Sequence, residues 1–123
     1  MNQGEELLVL IKAAYRICKI LKVDEKAHPF LCIESINARL RNKINGNEGR
    51  QHDLVAHVKQ SLLAFISFYR VLYAFCGGDV AFMNHWLNVK NKSFGVPPRD
   101  MLRTCEGIER LNRYLDELRA HND

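Results

Sequence analysis

The feature that most constrains the fold is an unbroken stretch, Gln51 to Cys76, that contains neither glycine nor proline. Apolar residues recur through it at helical spacing, which predicts one long helix of about seven turns. Its second half is apolar on nearly all sides, and such a helix has to be covered on several faces. We therefore predict that this helix is the centre of an all-α fold. The residues predicted to face inward are Leu54, Val55, Val58, Leu62, Phe65, Ile66, Tyr69, Leu72, Tyr73 and Cys76.

Three further helices are predicted before the long one. A first helix from Glu5 to Val23 has one apolar face, which includes Leu8 and Tyr15. A short second helix from Asp24 to about Leu31 is broken by Pro29, and a third runs from Glu34 to Ile44. The glycine-rich segment 45–49 then separates two parts, an N-terminal region over residues 1–48 and a C-terminal region over residues 49–123.

The turns of the C-terminal region are marked by residues with known preferences at helix ends. Gly77-Gly78 ends the long helix by supplying a left-handed residue, and Asp79 caps a short helix through Trp86 or Leu87. Pro98 opens a single helical turn, and Thr104 caps the final helix. The predicted buried stripe of that helix is Ile108, Leu111, Tyr114, Leu115 and Leu118.

Composition and cysteine usage indicate a cytoplasmic protein. The first residues include Glu5 and Glu6, whereas the start of a signal peptide is basic. The apolar stretch from Ser61 to Cys76 is too short to span a membrane. None of the cysteines lies in a C-x-x-C pair, so we expect reduced core residues in place of a zinc site or a disulfide framework. The four cysteines are Cys18, Cys32, Cys76 and Cys105.

Residues for catalysis are poorly represented. The five histidines form no H-E-x-x-H or comparable ligand pair, and Gly77-Gly78 lies between two helices, the wrong context for a phosphate-binding loop. Cys105 with His85 as nucleophile and base is a weak alternative, because Cys105 directly follows a helix cap. We therefore expect a protein that is not an enzyme and that uses no metal or cofactor.

The second and third predicted helices have the length of a helix-turn-helix, although Pro29 and Cys32 are unusual in one. Polar residues line the outer side of the third helix, and Arg and Asn are suited to base edges. The net charge of +4 is compatible with this but is equally typical of solvated helix faces. A small helical subdomain without DNA binding remains an equal alternative. The candidate DNA-binding residues are Ser35, Asn37, Arg39, Arg41 and Lys43, with Asn42 beside them.

The stretch from Gly77 to Leu118 carries an ordered series of motifs. Gly78-Asp79 follows the long helix, Trp86-Leu87 comes next, and Asn91 precedes Phe94-Gly95; Pro98 is followed by Leu102, Thr104 by Gly107, and Tyr114-Leu115 stands near the end. In this order the motifs resemble the toxin-binding domain of the Xre/ParS-type bacterial antitoxins. The preceding long helix is similar to the linking helix of that family.

This resemblance implies an antitoxin that masks a RES-domain toxin, which is an enzyme that consumes NAD. It also implies that the antitoxin represses its own promoter through its helix-turn-helix. A stand-alone DNA-binding regulator without a toxin is the alternative. Trp86, Phe94 and Arg99 are residue types enriched at interface hot spots, although the two aromatic side chains also suit a small core. The candidate partner-binding residues are Trp86, Asn91, Phe94, Arg99, Arg113 and Arg119.

The long helix is also expected to form a homodimer. Its second half has more apolar surface than short neighbouring helices would hide, and large exposed apolar patches are unusual on a monomer. The residues assigned to this contact are Leu63, Phe68, Val71 and Phe75.

Overall fold

The computed structural model describes residues 3–24 and 48–122 of the chain. Every regular element in these two ranges is helical, which confirms the all-α class. The predicted helices over residues 25–44 lie outside the described ranges. The five described helices are α1 (Gln3–Ile20), α2 (Glu48–Phe75), α3 (Val80–Asn88), α4 (Pro98–Met101) and α5 (Cys105–Asn122).

The long helix α2 is the centre of the described fold, as its sequence predicts. It packs against α1 along one side and against α5 along another, and it also touches α3. Its fully buried side chains recur three and four residues apart, which is the spacing of one helix face. They are Val58, Leu62, Phe65, Phe68 and Leu72. The helix includes Gly49, which lies in the first turn, where backbone N–H groups have no helical partner in any case.

Four positions depart from the predicted burial. Phe68 is fully buried between the helices of the same chain, so the expectation that it faces a second subunit is wrong. Tyr73 is 47% exposed because its ring lies over the turn that follows α2, where a Cβ on Gly78 would stand 3.1 Å from the Tyr73 Cζ atom. On α1, Leu8 and Tyr15 are exposed, because α2 covers only the face that bears Ile11.

The turn between α2 and α3 has the predicted left-handed glycine. Gly77 has φ 64°, and the Gly78 N–H donates to the Tyr73 carbonyl oxygen at 2.9 Å. The Gly77 N–H donates to the carbonyl of Ala74, which completes a Schellman motif. Asp79 then caps α3 by accepting from the Phe82 N–H at 3.2 Å. The chain therefore bends by 113° between α2 and α3.

The first helix ends by the same device without a glycine. Lys22 has φ 55°, the Lys22 N–H donates to the Lys19 carbonyl, and the Val23 N–H donates to the Cys18 carbonyl at 2.8 Å. The helix therefore ends at Ile20, three residues before the predicted end at Val23. At this end of α1, the Ile20 carbonyl accepts a hydrogen bond from a side chain of α3, and the Lys22 carbonyl accepts one from a side chain of α4.

Close contact between α4 and α5 explains the Thr-x-x-Gly motif. Thr104 Oγ1 accepts from the Gly107 N–H at 3.0 Å, which caps α5 as predicted. A Cβ on Gly107 would overlap the Met101 carbonyl oxygen and stand 2.8 Å from the Met101 carbonyl carbon. Only glycine therefore allows the backbones of α4 and α5 to approach this closely.

Within the described ranges, no single helix is long and apolar enough to cross a membrane. Residues Ala56–Phe75 of α2 and all of α3 reach that length and composition only as a pair, across the 113° bend.

Candidate functional site

Helix α3 exposes an apolar face that the core does not use. Met83 and Leu87 are completely buried and attach the helix to the rest of the domain. On another side of the helix, Phe82 is 46% exposed and Val89 is 47% exposed, and Trp86 lies between them. Phe82 and Trp86 share one face of α3 because they are four residues apart, and Val89, the residue that follows the helix, lies beside them. An apolar stripe of this kind on the surface indicates an interaction site.

The stripe forms one wall of a shallow surface cavity of about 160 Å³, which we call the α3 cavity. Trp86 contributes to the wall and also packs against the core, so both roles considered for it from the sequence are compatible with its position. Polar groups stand where the helix ends, and no carboxylate lines the cavity. The lining residues are Phe82, His85, Trp86, Val89, Lys90 and Asn91.

The loop after α3 is closed on itself by hydrogen bonds to Asn91. The Asn91 carbonyl accepts from the Gly95 N–H at 2.8 Å and from the Phe94 N–H at 3.2 Å, and the Asn91 N–H donates to the Val96 carbonyl. Its side-chain Oδ1 accepts from the Ser93 N–H at 2.8 Å. Gly95 has φ 76°, a conformation that favours glycine. The loop is thus held in one shape, which lowers the ordering cost of binding.

Phe94 attaches this loop to α5. Its ring meets the Tyr114 ring edge to face, with centroids 4.9 Å apart and an interplanar angle of 67°. The guanidinium of Arg110 lies 5.6 Å from the Phe94 centroid, in reach of a cation–π interaction. Arg110 is not among the residues predicted from the sequence, although its spacing of four from Tyr114 puts both on one side of α5.

Arg99 connects three parts of the fold through its guanidinium. Its Nε donates to Asn88 Oδ1 at 2.6 Å, and its Nη1 donates to the Lys22 carbonyl oxygen at 2.9 Å. Its Nη2 lies 3.4 Å from Asn84 Oδ1, and the Asn84 amide donates to the Ile20 carbonyl at 3.3 Å. Arg99 therefore ties α4 to both α3 and the end of α1.

Burial lowers the pKa of the Arg99 guanidinium, and the neighbouring Asp100 carboxylate opposes this shift. The group nevertheless keeps its charge, because the free value is far above neutral pH. Its partners Asn84 and Asn88 are not among the residues predicted from the sequence. Their spacing of four, which places both amides on one face of α3, was the available signal.

The remaining candidates lie apart from the α3 cavity. Arg113 and Arg119 are exposed on α5, and neither lines the cavity. The structure thus brings Trp86 and Asn91 together at one cavity. The DNA-binding candidates Ser35, Asn37, Arg39, Arg41 and Lys43 all lie outside the described ranges, so their assignment stays a prediction.

The Cys105 thiol contacts a hydroxyl and not an imidazole. Its Sγ lies 3.0 Å from Ser61 Oγ, and Ser61 Oγ donates to the His57 carbonyl at 3.0 Å. The thiol is therefore the donor to Ser61, because a hydroxyl has one proton to give. His85 stands instead at the α3 cavity. Among the described residues, no three His, Cys, Asp or Glu side chains are grouped as metal ligands.

Comparison with protein families matches residues 71–120 to the antitoxin Xre/MbcA/ParS C-terminal toxin-binding domain. The matched segment begins near the end of α2 and extends through most of α5, so it contains the whole α3 cavity and the loop after it. Neither the curated proteins nor the solved structures contain a match.

Proposed function

Residues 71–120 of this chain match the antitoxin Xre/MbcA/ParS C-terminal toxin-binding domain, and from this match we propose that the protein neutralises a partner toxin by binding it and masking its active site. The chain acts by binding and not by catalysis. The observation that carries the proposal is the exposed apolar face of α3, which lies wholly within the matched segment.

The loop after α3 supports this role because it presents a preformed surface beside the cavity. Trp86 and Asn91 belong to the cavity, while Phe94 and Arg99 hold its surroundings in place through α5 and α1. Rigid surfaces with aromatic anchors bind partners at a low entropic cost. Arg113 and Arg119 extend the proposed contact along the exposed side of α5.

The proposed partner is a RES-type toxin that consumes NAD in the cytoplasm and is encoded beside this chain. The test is to express the neighbouring reading frame with and without this protein. Toxin alone should stop growth and deplete NAD, and co-expression should restore both, with the two chains purifying as a complex. A toxin that neither binds this protein nor loses its toxicity would exclude the proposal.

Promoter binding by residues 1–48 is a second candidate function, favoured by the run of Arg, Asn and Lys between Ser35 and Lys43. In this role the complex represses its own gene, or the chain acts as a regulator without a toxin. Binding to promoter DNA that weakens steeply with salt would support it, because phosphate contacts release counterions.

We also propose a homodimer that uses the uncovered side of α2. Of the residues predicted for this contact, Leu63 is the most available, at 45% exposure, since Val71 and Phe75 are half-buried against the core. Light scattering should give about twice the chain mass of 14.2 kDa. A monomer at tens of micromolar, a rough range for specific interfaces, would contradict the dimer.

A further inference from the structure

The surroundings of the α3 cavity are basic as well as apolar. From Val80 to Arg99 the chain contains Lys90, Lys92 and Arg99 but neither Asp nor Glu. Arg99 directs its guanidinium to groups of its own chain, whereas Lys90 and Lys92 are exposed beside the cavity and in the adjoining loop. The positive charges that a partner meets at the cavity and in the adjoining loop therefore include those of the two lysines.

The cavity itself selects an apolar group. Its wall consists of Phe82, Trp86 and Val89, and its polar lining groups, which include Lys90, stand toward the end of the helix. The apolar wall of a shallow surface cavity of about 160 Å³ offers contact area to a group about the size of benzene. It therefore accommodates one large side chain of the Leu, Met or Phe class.

These two observations together specify the partner. We propose that the toxin presents an acidic segment with one large apolar side chain, which enters the α3 cavity while its flanking carboxylates pair with Lys90 and Lys92. This assignment rests on the proposed function and names the chemistry of the toxin surface. Charge complementarity favours this occupant, because a carboxylate would meet two ammonium groups and no lining carboxylate.

The apolar and the charged parts of this contact should affect different steps of the binding kinetics. A buried apolar anchor mainly slows dissociation, whereas charges at the rim mainly accelerate association and make it sensitive to salt. Changes at Phe82 and at the two lysines are therefore expected to alter different rate constants. Both sites are exposed, so their substitution leaves the core of the domain intact.

The experiment measures association and dissociation of the purified full chain with its toxin at several salt concentrations. Phe82→Ala should accelerate dissociation by about tenfold or more, as expected for an interface anchor. Lys90→Glu with Lys92→Glu should slow association by about tenfold at low salt and flatten its salt dependence. Reversing the charge of one acidic toxin residue should partly restore association of that double variant.

Two matched controls lie outside the segment 71–120. Leu8→Ala removes a similarly exposed apolar side chain from α1, and Lys12→Glu with Arg16→Glu makes the same charge change on exposed positions of the same helix. Both controls should bind toxin like the wild type. Circular dichroism of every variant verifies that the helical fold is retained.

The outcomes separate this inference from the proposed function. A wild-type chain that fails to bind the toxin overturns the proposed function. A toxin that binds wild type and all variants alike overturns only the placement of the contact at the α3 cavity. Loss of binding in Phe82→Ala with unchanged salt dependence in the lysine variant overturns the acidic segment.

Discussion

Single residues at helix ends illustrate the cost of a left-handed backbone. Lys22 and Gly77 occupy the same position of two Schellman motifs, with φ 55° and 64°. A residue with a Cβ loses roughly 1 kcal/mol or more in this conformation. Nothing lies within 4 Å of a Cβ built on Gly77, so packing contributes little there. The two positions therefore form a natural pair for measuring the effect.

The prediction is that Lys22→Gly raises and Gly77→Ala lowers the free energy of unfolding, each by roughly 1 kcal/mol. Urea denaturation followed by circular dichroism measures both. Lys12→Gly, at an exposed position in the middle of α1, is the control for Lys22→Gly and should destabilise, because glycine is unfavourable in a helix interior. Destabilisation by Lys22→Gly would contradict the conformational explanation.

The Cys76 thiol provides a pH-dependent prediction. Burial raises the pKa of this thiol, and the Asp79 carboxylate adds to the shift. Its alkylation by iodoacetamide should therefore rise with pH at a higher midpoint than in the unfolded chain, because only the thiolate reacts. Asp79→Asn should lower that midpoint while keeping the cap of α3, since Asn is an equally good cap.

The raised pKa of Cys76 also makes the free energy of unfolding depend on pH. Because the folded pKa of Cys76 is the higher one, the contribution of the protonated thiol is fully present below the unfolded pKa. It is lost as the pH rises through the folded pKa. Mass spectrometry of the labelled peptide gives the midpoint, and equal midpoints in the folded and unfolded chain would refute the shift.

At the scale of elements, the contact between α4 and α5 depends on the absence of one methyl group. We predict that Gly107→Ala destabilises the protein by roughly 1–3 kcal/mol, because the new Cβ would meet the Met101 carbonyl group. Thermal denaturation measures the loss. Glu106→Ala, at the exposed neighbouring position, should leave the melting temperature nearly unchanged. A stable Gly107→Ala variant would mean that α4 shifts at little cost.

Arg99 joins three elements, so its loss should affect both stability and binding. Arg99→Lys keeps the charge but cannot donate to Asn88, Asn84 and the Lys22 carbonyl at once. We expect a loss of roughly 1–3 kcal/mol in unfolding free energy, the range for hydrogen bonds to charged groups. Arg103→Lys, an exposed position on the same turn, is the matched control.

Toxin affinity distinguishes a positioning role of Arg99 from simple stabilisation. Arg99→Lys should bind toxin more weakly even at a temperature where it is fully folded, because the orientation of α3 relative to α1 and α4 has changed. Unchanged affinity in the folded variant would limit Arg99 to stability.

At the scale of the whole molecule, the two proposed binding functions should be separable. Arg39→Ala with Arg41→Ala should weaken promoter binding by roughly 1–3 kcal/mol for a good base contact and reduce its salt dependence. The same variant should still neutralise the toxin, because the α3 cavity lies in the other half of the chain. Arg113→Ala with Arg119→Ala should weaken toxin neutralisation and leave promoter binding unchanged.

Promoter binding is measured by fluorescence anisotropy and neutralisation by growth during co-expression. A wild-type chain without salt-sensitive promoter binding, alone and with its toxin, would remove the DNA-binding function only. Loss of both functions in either variant would show that the two halves do not act independently.

The helices of the described ranges, and most of their ends, are predictable from local sequence patterns. Such ends depend on local chemistry. Gly77 tolerates a left-handed φ, and Pro98 suits a first turn. Asp79 and Thr104 each accept from the backbone N–H group three residues on. These are interactions within a few residues, so a pattern in one stretch of sequence is sufficient to predict them.

Which apolar residues are core and which are surface depends on how the helices pack together. Phe68 and Phe82 both belong to apolar helix patterns, yet Phe68 is fully buried and Phe82 is 46% exposed. The difference arises because α1 and α5 cover α2, while α3 has one face packed on the domain and another left uncovered. The Arg99 contact with the Lys22 carbonyl joins residues 77 positions apart, and its existence depends on how the helices pack, which helical periodicity does not specify.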